Sequence, residues 1–211
     1  MQAILLCAGL GRRMQPLTNE LHKSLLPVGD STILGRIVDA LIAIDVRRIL
    51  VVTGYRADEL KAFLAARYPT IEFQYVHNAR FAETNNIVSL AMALEAATLD
   101  EDVILIESDV LFAEGLLTRL RDRTGNVALV DRYRPGMDGT VVAVDHGVVT
   151  GVFPVHLQGP AFAYDDKYKT LNIYRFDKSF CQSRFLPLLA CYANLIDQHC
   201  YYELVLGMLV N

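Results

Sequence analysis

The chain has 211 residues, of which 53% are hydrophobic and 21% are charged, so it can bury a sizeable core and is not expected to be disordered. Its formal net charge of -4 argues against nucleic acid or an anionic membrane as the main partner. The lack of a basic leader, of an apolar run of membrane length and of any C-x-x-C pair predicts a cytoplasmic protein with reduced thiols.

The first predicted element is a buried strand over residues 4–6, which runs into a glycine-rich loop. The loop reads Cys7-Ala8-Gly9-Leu10-Gly11-Arg12-Arg13-Met14. Glycines let main-chain N–H groups approach phosphate oxygens, and Arg12, Arg13 and Lys23 bring positive charge to the same place. The third glycine of the dinucleotide fingerprint and the Gly-Lys-Ser/Thr of the Walker loop are both missing. We therefore expect a polyphosphate ligand bound in another way.

Strands and helices then alternate along the chain. The predicted order is a helix over 32–45, a strand over 49–52, a helix over 57–68, a strand over 71–75, a helix capped by Thr84 or Asn85, a strand over 103–106, a short helix over 116–120 and a strand over 127–130. The continuous apolar runs at 49–52 and 103–106 are typical of central strands covered on both faces. This order predicts an α/β fold with a Rossmann-like, doubly wound, mostly parallel sheet.

The pattern changes after Pro135-Gly136. Residues 140–144 and 148–153 predict a β-hairpin, which we expect to form a wall over the active site. Residues 171–174 are expected to return to the main sheet, followed by a helix over 178–196 with a kink at Pro187. We predict one domain over 1–211. Its apolar end fits equally a packed terminal helix and a cut through a longer protein.

Ligands of open α/β sheets bind at the carboxyl ends of the strands, and this rule selects the glycine-rich loop, Gly54-Tyr55, the Thr84-Asn85-Asn86 turn and Asp109. Asp109 follows a buried strand, where its carboxylate would suit Mg²⁺ that bridges phosphates, although a turn or helix-cap role is the alternative. Lys23 would stabilise the charge that develops at an α-phosphate, and Arg13 would hold the β- and γ-phosphates. A lysine that only packs along the surface is the alternative for Lys23.

Other polar residues are less decisive. Asn85 and Asn86 could read a base edge or a ribose, but capping of the following helix is the alternative and is expected for one of them. Tyrosines crowd the last third of the chain and could hold a cationic amine, although core packing also explains each one. The five histidines show no metal spacing or catalytic pattern, and we assign them no role.

Several strings of the chain resemble the nucleotidyltransferases that couple CTP to small aminoalkyl phosphates or phosphonates. They are Ala8-Gly9-Leu10-Gly11-Arg12-Arg13-Met14, Pro16-Leu17-Thr18, Lys23, Asn85-Asn86-Ile87-Val88-Ser89-Leu90, Asp109, Lys169-Thr170-Leu171-Asn172-Ile173-Tyr174 and Tyr201-Tyr202-Glu203. Within that family, the last two strings are more similar to the 2-aminoethylphosphonate cytidylyltransferases than to the phosphocholine enzymes.

The resemblance implies a nucleotide-diphospho-sugar transferase type of fold, a requirement for Mg²⁺, and CTP and 2-aminoethylphosphonate as substrates in phosphonate biosynthesis. It implies nucleotide binding by Leu6, Ala8, Gly9, Gly11, Arg12, Asn85, Asn86 and Ser89, catalysis by Lys23 and Arg13, metal binding by Asp109 and Glu203, and acceptor binding by Asp138, Lys169, Asn172 and Tyr174. Glu203 could instead be a solvated helix residue, and Glu107 is the reserve metal ligand.

Two other functions stay open. The acceptor could be phosphocholine or phosphoethanolamine, but the chain has no tryptophan for a trimethylammonium cage, whereas Asp138, Asp165 and Asp166 lie in the expected wall. The chain could also be an inactive nucleotide-binding module, although such a module would not need the lysine and the carboxylates. A homodimer and fusion to another enzyme domain, such as an aminotransferase, are also left open.

Overall fold

The computed structural model describes residues 1–210, which form an eight-stranded sheet with helices on both faces and a separate antiparallel pair of short strands, Pro27–Val28 and Ser31–Thr32. The strands are β1 (Gln2–Cys7), β2 (Pro27–Val28), β3 (Ser31–Thr32), β4 (Arg48–Thr53), β5 (Glu72–His77), β6 (Val103–Glu107), β7 (Val127–Arg132), β8 (Val141–Asp145), β9 (Val148–Phe153) and β10 (Lys167–Phe176). The helices are α1 (Ile33–Ala43), α2 (Ala57–Arg67), α3 (Asn86–Ala96), α4 (Leu116–Arg121), α5 (Lys178–Phe180), α6 (Leu186–Cys191) and α7 (Glu203–Val210).

The centre of the sheet is parallel. Strands β5, β4, β1 and β6 lie side by side in that order, and β1 pairs in register with both β4 and β6. All six residues of β1 are buried, as expected for a strand covered on both faces. The predicted doubly wound, mostly parallel α/β fold is confirmed.

Successive side chains of the central strands enter two separate cores because strand residues alternate between the faces of a sheet. Ile4 and Leu6 pack with α3 and the C-terminal helices on one face. Ala3 and Leu5 pack with α1, α2 and α4 on the other. The carboxyl ends of β1, β4, β5 and β6 therefore meet at one edge of the sheet, between these two cores.

The position of β7 differs from the simple repeat that the sequence indicated. Strand β7 does not pair with β6, because β10 lies between them and is antiparallel to both. The predicted return of residues 171–174 to the main sheet is confirmed, in a strand of ten residues. The register of β10 against β7 shifts between Thr170 and Tyr174, at a bulge where Asn172 has a φ of 55°.

The predicted hairpin is present, and it extends the sheet. Strand β8 pairs with the first residues of β10, and β9 pairs with β8 through a turn in which His146 and Gly147 both have positive φ. Helix α7 packs on β9, where a Cβ at Gly207 would lie 3.4 Å from Val152.

The predicted helix over 178–196 is helical but irregular. The α-helical pieces α5 and α6 alternate with π-helical turns at Cys181–Phe185 and Tyr192–Ile196. Pro187 lies at the start of α6, directly after the first of these turns. No helix among residues 1–210 has the length and apolar character needed to cross a membrane. All four cysteines are free thiols.

Candidate active site

An ion pair between Lys23 and Asp109 lies at the carboxyl edge of the central strands. The Lys23 Nζ atom is 2.8 Å from Asp109 Oδ2, and the lysine side chain is only 15% exposed. A Cβ placed on Gly9 would lie 3.6 Å from the same Nζ atom, so the ammonium group sits over the glycine-rich loop. The structure thus joins the loop after β1, the turn that carries Lys23 and the residue two positions after β6.

The shape of the glycine-rich loop depends on two close approaches. Gly11 has a φ of 65°, and a Cβ there would lie 2.9 Å from Cγ2 of Thr18, whose hydroxyl donates to the Gly11 carbonyl at 3.0 Å. A Cβ on Gly54 would lie 2.7 Å from the Ala8 carbonyl oxygen. Both positions therefore require glycine for the loop to keep this path.

The two loop arginines face solvent. Arg12 and Arg13 are exposed, and Arg13 Nη1 donates to Asp138 Oδ2 at 2.9 Å, with both side chains more than four-fifths exposed. Such an exposed pair contributes little stability, so Arg13 can exchange Asp138 for a phosphate at small cost. The pair also places the loop before the hairpin beside the glycine-rich loop.

Two further carboxylates, Glu107 and Glu203, are held beneath this edge. Glu203 is 4% exposed, and its Oε2 atom has no hydrogen-bond partner among the described residues. Burial, and then the nearby charge of Glu107, raises the pKa of Glu203 to about 8. Burial and the charge of Asp109 likewise raise the pKa of Glu107. In the protein alone, the surroundings therefore disfavour the charged forms of both glutamates.

Asn86 connects these carboxylates. Its Nδ2 atom donates to Glu107 Oε1 at 3.1 Å, and its Oδ1 atom accepts from the backbone N–H of Tyr202 at 3.0 Å. The side chain therefore links α3, the end of β6 and the start of α7. Because both ends of the Asn86 amide are engaged, the geometry supports a role for Asn86 in positioning Glu107 and Glu203. Contact between Asn86 and the base of a nucleotide stays a prediction.

Asn85 and Ser89 are also engaged within the protein. Asn85 caps α3, with Oδ1 accepting from the Asn86 N–H at 2.9 Å, and its Nδ2 donates to the His199 carbonyl at 3.0 Å. The predicted capping role is confirmed for Asn85. The Ser89 hydroxyl is buried and accepts from Asn78 Nδ2 at 3.0 Å.

The predicted acceptor residues lie on or near the bulge of β10. Lys169 Nζ donates to the Thr170 carbonyl at 2.7 Å, and Asn172 Oδ1 accepts from the Thr170 hydroxyl at 3.0 Å. Burial lowers the pKa of Lys169, while Glu203, Glu107 and Asp138 act in the opposite direction. Tyr174 is 3% exposed and its hydroxyl has no partner among the described residues, so it faces the core beneath the site.

One residue that the sequence left without a role belongs to this site. His22 is fully buried, directly before Lys23, and both of its ring nitrogens contact the backbone. The available signal was its position beside the lysine, since its type and spacing carried no catalytic pattern. Among residues 1–210 no three His, Cys, Asp or Glu side chains are grouped as a ready-made metal site.

Proteins of this fold that present such an edge to a nucleoside triphosphate form the class of Rossmann-like nucleotidyltransferases. The chain belongs to the family with a MobA-like NTP transferase domain, whose model matches residues 3–168. It is similar in fold to the CTP:phosphocholine cytidylyltransferase from Streptococcus pneumoniae, with a TM-score of 0.79 and 19% identity over 98% of this chain and 84% of that one.

Two relatives share more sequence. CMP-5'-(3-aminopropyl)phosphonate synthase of Streptomyces rubellomurinus is 32% identical over 205 residues, which cover 96% of this chain and 32% of the relative. 2-Aminoethylphosphonate cytidylyltransferase of Lancefieldella rimae is 34% identical over 113 residues, which cover 53% of this chain and 44% of the relative. The matched part of this chain thus covers less than half the length of either relative.

Proposed function

We propose that this chain carries a Mg²⁺-dependent cytidylyltransferase activity that transfers CMP from CTP to 2-aminoethylphosphonate and releases pyrophosphate. The observation that carries the proposal is the 2.8 Å ion pair of Lys23 and Asp109 above Gly9, with Glu203 buried and Glu107 half-buried beneath the same edge. The names of the two relatives support cytidine as the base and an aminoalkylphosphonate as the acceptor.

The donor set of the site fits Mg²⁺. Carboxylate oxygens are its preferred protein ligands, and Mg²⁺ commonly takes only one or two of them beside phosphates and water. Asp109 and Glu203 would hold the ion, with Glu107 as the reserve. The unpartnered Oε2 of Glu203 and the raised pKa of both glutamates are what a site that awaits a cation would show. When bound, Mg²⁺ would neutralise negative charge on the phosphates.

The reaction needs positioning and charge neutralisation, with no covalent enzyme intermediate. A phosphonate oxygen of the acceptor forms a bond to the α-phosphorus of CTP as the bond to the pyrophosphate oxygen breaks. Lys23 would stabilise the charge that gathers on the α-phosphate, and Arg13 would hold the departing phosphates. The backbone of residues 8–11 would lie along the triphosphate because Gly9 and Gly11 leave it open.

The charges on the acceptor side suit an aminoalkylphosphonate. Lys169 offers a half-buried ammonium group to the phosphonate, while Asp138 and Asn172 offer oxygens to a primary amine. Tyr174 and Tyr202 are buried in the core, so neither is free to enclose a trimethylammonium group.

The test is pyrophosphate release from CTP with a panel of acceptors. We expect turnover with 2-aminoethylphosphonate and a kcat/KM at least about tenfold lower with phosphocholine, a difference of about 1.4 kcal/mol in transition-state binding. A preference for phosphocholine would contradict the acceptor assignment. Binding of CTP without turnover of any acceptor would instead favour the inactive module.

Replacement of Lys23 tests the mechanism. Lys23→Ala should lower kcat on the order of a hundredfold or more, because charge stabilisation in the transition state is lost. Lys61→Ala is the matched control, since Lys61 lies on α2 over the Tyr75 ring, at 5.6 Å from its centroid. Near-normal turnover by Lys23→Ala would eliminate the proposed role of the lysine.

A further inference from the structure

His22 is a buried titratable residue for which the proposed reaction has no use. Its Nδ1 atom accepts a hydrogen bond from the backbone N–H of Ser24 at 3.1 Å, and its Nε2 atom lies 3.0 Å from the carbonyl oxygen of Cys7. Because an amide can only donate, Nδ1 must be the acceptor and Nε2 must carry the proton that goes to the carbonyl. The ring is therefore the neutral Nε2–H tautomer.

The two backbone groups that the ring connects belong to different parts of the site. Cys7 is the last residue of β1, from which the glycine-rich loop departs. Ser24 lies in the short helical turn Lys23–Leu25, which His22 caps. After β1 the chain forms the glycine-rich loop and returns to the end of β1 at His22. The imidazole therefore joins the start of this segment, at Cys7, to its end, at Ser24. Lys23, the first residue of the capped turn, is thereby held against the end of the strand.

The surroundings of His22 keep the ring in place and without charge. Its backbone N–H donates to Glu59 Oε2 at 3.3 Å, and its ring centroid lies 6.4 Å from that of Tyr55. Burial, and then the neighbouring charge of Lys23, lowers the pKa of His22 to about 4. The imidazole can thus serve as a rigid connector without adding a second positive charge beside the lysine.

We propose that His22 is a positioning residue that fixes Lys23 over the glycine-rich loop by joining the Cys7 carbonyl to the Ser24 amide. The proposal rests on the role of Lys23 in the proposed function. A smaller polar side chain could form only one of the two hydrogen bonds, because they leave opposite sides of the imidazole ring. The bond to Ser24 lies within the turn, so it is loss of the bond to Cys7 that would let the turn that carries the lysine shift relative to the loop.

Two substitutions separate the two bonds. In His22→Asn the side-chain oxygen can still cap Ser24 but cannot reach Cys7, whereas in His22→Gln the longer side chain can donate to the Cys7 carbonyl and loses the cap. We expect His22→Asn to lower kcat by about tenfold or more with the KM for CTP changed by less than about threefold. His22→Gln should recover most of the lost kcat. His156→Asn, at an exposed histidine, is the control.

A second measurement does not depend on turnover. Acylation of lysines followed by mass spectrometry should label Lys23 slowly in the wild-type chain and several-fold faster in His22→Asn, relative to Lys61 in the same sample. Unchanged labelling and unchanged kcat in folded His22→Asn would overturn the proposal. Faster labelling of Lys23 in a chain that transfers no CMP even as wild type would uphold the positioning and reject the proposed function.

If His22→Asn does not fold at the assay temperature, His22→Gln decides alone. Labelling of Lys23 close to the wild-type rate in folded His22→Gln supports the proposal, because the bond to Cys7 is retained. Labelling of Lys23 and Lys61 raised together would indicate general loosening and would overturn it. An equal loss of kcat in His22→Asn and His22→Gln, matched by equal losses of thermal stability, would also assign the ring a purely structural role.

Discussion

At the scale of single residues, Glu203 lies in surroundings that disfavour its charged form. The side chain is almost fully buried beside Glu107, and its pKa is raised from the ordinary 4.5 to about 8. Between these values the folded state keeps a proton that the unfolded state has released. Stability should therefore fall as the pH rises from about 4.5 through 8. A bound cation would remove that penalty.

Glu203→Gln tests this balance. In buffer without divalent cations we expect the variant to unfold at a higher temperature than the wild type at pH 9, because glutamine carries no charge to bury. The gap should close as the pH is lowered to about 5, where the wild-type carboxyl is protonated. CMP transfer should be lost at every pH. A gap that does not change with pH, or one also seen in the exposed control Glu114→Gln, would contradict the assignment.

The same scale shows what could be predicted from single residues. Lys23 and Asp109 are predictable because one follows a glycine-rich loop and the other follows a buried strand, and both features are visible in sequence. The contact of Asn86 with the Tyr202 amide and that of His22 with the Cys7 carbonyl are not predictable, because both partners are backbone groups outside the local segment. An amide or imidazole that bonds backbone leaves no pattern of residue types.

At the scale of elements, β10 is the strand that combines the two parts of the molecule. Its last residues pair with β6 and its first residues pair with β8 of the hairpin. The bulge between these two sections carries Asn172 in the left-handed conformation and sets the direction of Lys169 and Asn172 toward the site. Sequence periodicity found the strand but not its neighbours, since pairing order is decided by long-range packing.

Substitutions at Asn172 test the bulge. Asn172→Gly should preserve the free energy of unfolding to within about 0.5 kcal/mol, whereas Asn172→Val should lower it by about 1–3 kcal/mol because a β-branched residue is strained at a φ of 55°. Urea unfolding at equilibrium measures both. Thr150, an exposed residue of β9 with ordinary extended backbone, is the control. There Thr150→Val should be better tolerated than Thr150→Gly. The same order of stability at both positions would argue against backbone strain at Asn172.

At the scale of the whole molecule, the site lies where two separately packed cores meet. Helices α1, α2 and α4 cover one face of the sheet, and α3 with the C-terminal helices covers the other. Lys23 comes from the first side, and Glu203 comes from the second. A ligand that contacts both residues would join the two layers, so substrate binding should stabilise the fold as a whole.

Thermal unfolding with ligands measures that coupling. At a concentration of about one hundred times its Kd, CTP with Mg²⁺ should raise the free energy of unfolding by about 2.7 kcal/mol. For a chain of this size, that corresponds to a rise in Tm of about 5–10 °C. Asp109→Asn should lose the part of the shift that requires Mg²⁺, and ATP should give a smaller shift than CTP. A full Mg²⁺-dependent shift in Asp109→Asn would remove Asp109 from the metal site.

The pairing of β6 also has a consequence for how the protein is made. Ile106 pairs with Ile173, and Val103 pairs with Phe176. During synthesis, β6 therefore cannot complete its pairing until the ribosome has added β10, which comes much later in the chain. Until then, one edge of β6 has unpaired amides and carbonyls beside apolar side chains, the kind of strand that recruits other chains. The family match ends at residue 168, before these partners. A nascent chain arrested at that point would contain the whole glycine-rich loop and still present an open edge to chaperones or to aggregation.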